Sequence, residues 1–122
     1  MTNTVLQILT VDQLVDHFAV IGVEQDEAEQ AEDNAKYRRL FYPMREVQKE
    51  LKMRPGDQRR ALVALFDYPN MQVRLMAAQY ALAVVPQDAR RTIEAIAAST
   101  WPQCYDARMC LSVLDEGKFV PE

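Results

Sequence analysis

Apolar residues recur every three or four positions along most of the chain, the spacing of helices that bury one side. The clearest case is Val73, Met76, Ala77, Tyr80, Ala81 and Val84. Asn70 stands just ahead, its side-chain oxygen placed to cap the free amides of a first turn. Pro86 closes the segment. The spacing predicts a capped amphipathic helix from residue 69 to about residue 82, inside a stack of other helices.

The same periodicity organises the amino-terminal half. Val5, Leu6, Ile8 and Leu9 make a short apolar lead-in. Thr10 and Gln13 match a capping box. They predict a helix to about Ile21 that buries Val11, Leu14, Val15, Phe18 and Ile21, with Gly22 in the left-handed position that ends it. An acidic run follows: Glu24, Asp26, Glu27, Glu29, Glu32 and Asp33. It is expected to open a second helix, where negative charge complements the amino-terminal dipole. A thin stripe of Ala28, Ala31 and Ala35 thickens into Tyr37, Leu40, Met44, Val47 and Leu51. That stripe keeps phase across Pro43, so a long helix kinked at the proline is expected rather than two unrelated helices.

Pro55-Gly56 is a break. A third helix is expected from about Asp57 to Phe66, burying Ala61, Leu62, Leu65 and Phe66. Pro86 suits the first position of a fifth helix that buries Ala89, Ile93, Ile96 and Ala97. After the turn Thr100-Trp101-Pro102, a sixth runs to about Asp115 with Ala107, Cys110, Leu111 and Leu114 inward and Gly117 as its cap. The expected fold class is all-α: about six helices in a single domain over 1–122.

Composition narrows the function classes. A chain of 122 residues buries roughly two thirds of its unfolded surface, one domain's worth. Apolar residues make up 49 % of it, too many for a disordered chain. The net charge of −4 argues against nucleic acid as a partner, because phosphate binding needs clustered Lys and Arg. No apolar run reaches membrane-spanning length. Met1-Thr2-Asn3-Thr4 lacks the basic and apolar regions of a signal peptide. With two cysteines only, the reducing cytoplasm is the expected compartment. Cys104 and Cys110 are six residues apart on one predicted helix, about 9 Å along its axis and on different faces, beyond disulfide reach. With one distant histidine, His17, they make no metal set, and no cofactor is expected.

An internal repeat gives the architecture. Arg59-Arg60-Ala61-Leu62-Val63-Ala64-Leu65 lies over Arg90-Arg91-Thr92-Ile93-Glu94-Ala95-Ile96, a shift from residue 59 to residue 90. Ala107-Arg108 likewise lies over Val73-Arg74, with extra residues in the turn around Ser99 to Trp101. Helix pairs at this period point to an α-solenoid, in which each pair buries its face against the next. Residues 10–54 then form amino-terminal capping helices, and 55–122 two helix pairs and a tail in which Phe119 and Val120 fold back.

Asn70-x-x-Val73-Arg74-x-x-Ala77-x-x-x-Ala81-Leu82 resembles the second helix of a HEAT repeat. The resemblance implies that the alanines let helices approach closely and that the arginine bonds within the stack. From about Lys36 to Pro121 the chain resembles a small bacterial HEAT-like family catalogued as a domain of unknown function, DUF2019. The residues that carry this are Tyr37-x-x-Leu40-Phe41, Glu50-Leu51-Lys52, Gly56-Asp57-x-Arg59-Arg60-Ala61-Leu62, Pro69-Asn70-x-Gln72-Val73-Arg74, Glu94-Ala95-Ile96-Ala97 and Leu114-Asp115-x-Gly117. It implies a short right-handed stack of HEAT-like helix pairs and brings no activity with it, though such proteins resemble helical immunity proteins of bacterial toxin systems.

The candidate sites follow from charge and shape. The run Glu24, Asp26, Glu27, Glu29, Glu32, Asp33 is either an electrostatic docking face for a basic partner protein or a solvated helix face. Arg74 is expected to bond a neighbouring carboxylate, Asp106 or Asp67, with a ligand contact as the alternative. Arg59, Arg60, Arg90 and Arg91, with Lys36, Arg38 and Arg39, would form a basic stripe if the protein bound phosphate or nucleic acid. Tyr68, Tyr80, Trp101 and Tyr105 sit near turns, where aromatics anchor partners or close the ends of a core. Ser99 and Ser112 sit in no catalytic motif, His17 has no nucleophile in sequence reach, and the three glycines have turn or cap duties. The leading expectation is a non-catalytic protein-binding module, immunity-like or regulatory. Nothing in the sequence sets its oligomeric state.

Overall fold

Thr10 and Gln13 make the capping box that their spacing predicts. The Thr10 hydroxyl oxygen accepts from the Gln13 amide at 3.1 Å, and the Gln13 side chain accepts from the Thr10 amide at 2.9 Å. The helix so started does not stop at Gly22. In the computed structural model, which describes residues 3–122, it runs for 20 residues. Among those residues there are seven α-helices, a 3-10 helix and no strand: α1 (Asn3–Ile8), α2 (Val11–Gln30), α3 (Asn34–Arg39), α4 (Phe41–Met53), the 3-10 helix (Gln58–Leu65), α5 (Met71–Ala81), α6 (Pro86–Ala97) and α7 (Cys104–Asp115). Met1 and Thr2, half of the stretch read for a signal, lie outside the described residues.

The chain forms two compact units, Met1–Ala61 and Leu62–Glu122, and their boundary falls inside the 3-10 helix. In the amino-terminal unit α2 packs against α3 and α4, and α4 also meets α1. Several expectations are corrected here. Gly22 lies inside α2, buried, because the stripe Leu14, Phe18, Ile21, Gln25, Ala28 continues in phase beneath it. A glycine costs about 1 kcal/mol in a helix, less than the burial of any one large neighbour returns. Gln25 hid this continuation: it is fully buried, and its amide donates to the Met44 sulfur at 3.7 Å.

The acidic run therefore closes α2 instead of opening a helix. Its charges sit at the negative end of the dipole, the unfavourable end. What ends α2 is a Schellman turn. The Glu32 amide donates to the Glu29 carbonyl at 3.0 Å and the Asp33 amide to the Ala28 carbonyl at 2.9 Å. Glu32 takes the left-handed position, φ 56°, that glycine usually fills. Asp33 then caps the next helix, its carboxylate accepting from the Lys36 amide at 3.1 Å.

The long second helix is interrupted at Leu40, which caps both α3 and α4. Pro43 is the reason. It has no amide to give the Arg39 carbonyl, and its ring crowds that carbonyl, so α3 ends at Arg39. Within α4 itself Pro43 lies in the first turn, where the missing donor has no intrahelical acceptor to lose. Tyr37 and Phe41 bridge the break edge to face, ring centroids 5.1 Å apart. Met44, Val47 and Leu51 are fully buried, as their spacing predicts. Arg54 ties α1 down, donating to the Leu6 carbonyl at 3.0 Å while pairing with Glu50 at 3.0 Å.

The expected third α-helix is the 3-10 helix. It follows Gly56 and Asp57, both left-handed at φ 79° and 51°, and Asp57 holds Arg59 by two side-chain bonds of 2.9 and 2.7 Å. In the carboxy-terminal unit, α6 packs against both α5 and α7. Asn70 caps α5, accepting from the amides of Gln72 at 2.9 Å and Val73 at 3.2 Å. Pro86 opens α6, which buries Ala89, Ile93, Ile96 and Ala97. Gly117, φ 72°, ends α7 in a second Schellman turn, with Gly117 donating to Leu114 at 3.1 Å and Lys118 to Val113 at 2.9 Å. Leu111 and Leu114, expected inward, are half-buried. Phe119 and Val120 remain exposed.

Because Glu32 holds a left-handed backbone without being glycine, Glu32→Gly is expected to raise stability by about 0.5–1 kcal/mol in urea unfolding. A loss of stability would show that its side chain outweighs the backbone strain.

Candidate binding surface

Arg74 lies on the fourth residue of α5, so its side chain lies over the turn that precedes the helix. It does not pair with Asp106 or with the Asp67 carboxylate. Its Nε donates to the Tyr68 carbonyl and its Nη2 to the Asp67 carbonyl at 3.3 Å. Two backbone carbonyls thus fix a half-buried guanidinium beside the α5 cap. Arg74 also lines a cavity of about 540 Å³ in the carboxy-terminal unit. Phe66, Met71, Ile96 and Trp101 give that cavity apolar walls, and Asp88, Arg91, Thr92 and Ser99 its polar margin. Arg91 and Asp88 pair with each other.

Trp101 belongs to a second feature. It is 55 % exposed, Tyr105 72 % and Met109 65 %. Tyr105 and Met109 are one turn apart on α7, opposite the buried Ala107 and Cys110, and Trp101 stands one turn earlier in the lead-in. The Trp101 carbonyl accepts from the Cys104 amide at 2.9 Å, which fixes that lead-in to the helix. Arg108 lies over the Tyr105 ring, 5.7 Å from its centroid, and donates to the Ala97 carbonyl at 3.0 Å. The tyrosine is therefore braced from one side. Met109 was not singled out by sequence; its signal was the four-residue step from Tyr105 on the solvent side. Tyr68 and Tyr80, grouped with Trp101 and Tyr105 by sequence, are half-buried.

The four repeated arginines fall in different units and have different duties. Arg59 is buried and held by Asp57, whose carboxyl this bond keeps below the usual carboxylate range. Arg60 is exposed. Arg90 binds Asp115 through both guanidinium tips, at 2.9 and 3.2 Å, which joins α6 to α7 and keeps the Asp115 carboxyl low. Arg91 serves the cavity margin. Of the acidic run, Glu27, Glu29, Glu32 and Asp33 are exposed, while Glu24 and Asp26 are half-buried. With about 100° between successive residues, Glu24 and Glu29 flank the buried stripe and Asp26 and Glu27 point outward. Asp26 accepts from Gln30 at 2.9 Å.

Comparison with known proteins fixes the family. The model described as Domain of unknown function (DUF2019) matches residues 12–115. The chain belongs to this family. Its structure is similar to the crystal structure of protein RPA1889 from Rhodopseudomonas palustris CGA009, with 52 % sequence identity and a TM-score of 0.92. The match covers 96 % of this chain and 98 % of that one. No curated protein matches the sequence.

Elsewhere in this DUF2019 chain, among the described residues, no group of three or more His, Cys, Asp or Glu could hold a metal ion. Among those residues, too, no helix is long and apolar enough to cross a membrane. Cys104 and Cys110 are buried and unbridged, and burial pushes the Cys110 thiol up despite a hydrogen bond from Gln79. His17 lines a small cavity of about 170 Å³ with Leu6, Tyr42, Pro43 and Glu46. Burial pushes its imidazole below the ordinary value of 6.5, with Glu24 pulling the other way. The folded chain thus binds fewer protons at this site than the unfolded chain does. Stability from the neutral ring is full above the ordinary value and is lost as pH falls through the lowered one. Melting temperature is expected to fall as pH drops below about 6.5, and less so in His17→Gln. Identical pH profiles for the two proteins would contradict this.

Proposed function

We propose that this DUF2019 chain is a protein-binding module with no chemistry of its own, built as a short α-solenoid of HEAT-like helix pairs. The sequence repeat between residues 59–65 and 90–96 supports the architecture, as does the packing of α6 against both α5 and α7. The observation that carries the function is the exposed row Trp101, Tyr105, Met109. Tryptophan, tyrosine and methionine are the residue types enriched at interface centres. Exposed together, they leave an apolar row that no part of their own unit covers, and Arg108 braces the tyrosine.

A second contact is favoured by Glu27, Glu29 and Glu32, all exposed where α2 ends. They suit a basic partner, whose encounter they would accelerate at low salt. An immunity-like or regulatory role in the cytoplasm accords with such a partner. Asp33 has a cap to hold, so it contributes less freely. The nucleic-acid reading of Arg59, Arg60, Arg90 and Arg91 has weaker support, because three of the four guanidiniums already meet carboxylates.

The test combines Trp101→Ala, Tyr105→Ser and Met109→Ser in a tagged chain expressed in its native host. A bound protein retained by the parent and lost by the triple variant, at unchanged melting temperature, is the expected result. Equal recovery with both chains, or no bound protein with either, would contradict the assignment of this face.

A further inference from the structure

We infer that the cavity of the carboxy-terminal unit is a binding site for a small apolar carboxylate, with Arg74 gripping the carboxylate group. This goes beyond the protein-binding reading and does not depend on it. Arg54, Arg59, Arg90 and Arg91 each meet a carboxylate of their own unit. Arg74 is half-buried, yet among the described residues it meets only the neutral carbonyls of Asp67 and Tyr68. Its Nη1 donates to no protein acceptor there. A half-buried guanidinium bonded only to neutral carbonyls has no counter-charge at hand, and a carboxylate matches its planar fork.

The remaining features fit that ligand. The two carbonyls hold Arg74 in place, so little side-chain freedom is lost on binding. A volume of about 540 Å³ lies within the range of small-molecule clefts. Phe66, Met71, Ile96 and Trp101 would receive an aryl or alkyl body. Asp88 already neutralises Arg91, which leaves the cavity one net positive charge. A single carboxylate cancels it, whereas a phosphate dianion would leave one negative charge in excess beside the apolar walls. The chain as a whole carries −4, so recognition of an anion here is local rather than an effect of the general field.

Calorimetric titration of the whole chain with 3-phenylpropionate and with 3-phenylpropan-1-ol tests this. The acid is expected to bind at least about tenfold more tightly than the alcohol, the worth of one hydrogen-bonded charge. Arg74→Gln should erase that preference while the alcohol still binds. Because this variant also loosens the turn before α5, Ala95→Trp provides an independent check by filling the cavity. It should abolish binding of both compounds without lowering the melting temperature. Equal affinity for acid and alcohol, no heat from the acid at about 10 mM, or undiminished binding by Ala95→Trp would each overturn the proposal.

Discussion

No residue of α5 is exposed, and the carboxy-terminal unit depends on that burial. Gln72, Val73, Leu75, Met76, Ala77, Ala78 and Ala81 are all buried, on nearly every side of the helix. A helix buried on nearly every side has no solvent-facing side to set its rotation. Its start does so instead: Asn70 fixes the first amides and Arg74 reaches back to the carbonyls of the preceding turn. The two contributions differ in scale. Burying one large apolar side chain is worth roughly 1.5–3 kcal/mol, and the cap about 1 kcal/mol. Burial supplies the stability, and the cap decides where the helix begins. The alanines keep the helix slim, so that α6 can approach it closely. Arg90 on α6 then reaches Asp115 on α7.

The amino-terminal unit shows the same ranking in reverse, where local terms are nearly balanced. Glu32 in a left-handed conformation costs on the order of 1 kcal/mol. Acids at the end of α2 oppose its dipole by a few tenths each. The Schellman bonds and the Asp33 cap recover a similar amount. Local preference therefore does not place this joint. The burial of Ile21, Gln25 and Ala28 does, by carrying α2 two turns past its glycine. The acidic run is in part the consequence. Two of its members make the connection to α3; along the last turns Glu27 and Glu29 are exposed and Glu24 and Asp26 half-buried.

Features set by local chemistry were legible in the sequence: the Thr10–Gln13 box, the Asn70 cap, Pro86 at a helix start, Gly117 at a helix end. So was the buried face of α6, since four residues at helical spacing name it outright. The misread elements are those where one signal overrode another. Gly22 looks like a stop until Gln25 is known to be buried against Met44. Leu40 looks like mid-helix because the apolar stripe keeps phase across the break that Pro43 imposes three residues earlier. Residues 58–65 keep a helical pattern but wind as a 3-10 helix after the left-handed pair Gly56-Asp57. The candidate site was half visible. Arg74 and Trp101 drew notice as single residues, but only the fold brings them to one cavity. The carbonyl partners of Arg74 carry no sequence signature at all.

The surface features of the carboxy-terminal unit rest on α5 being its most rigid part. Arg74 can present a fixed charge, and α6 can hold the cavity wall, only if α5 does not open on its own. Amide hydrogen exchange measured residue by residue tests that most directly. Ala77 to Ala81 should open only with the whole unit, with protection matching its global unfolding free energy. Asn70→Ala should lower the protection of α5 and the global stability together. Exchange of these amides as fast as that of α3, with global stability intact, would contradict the account.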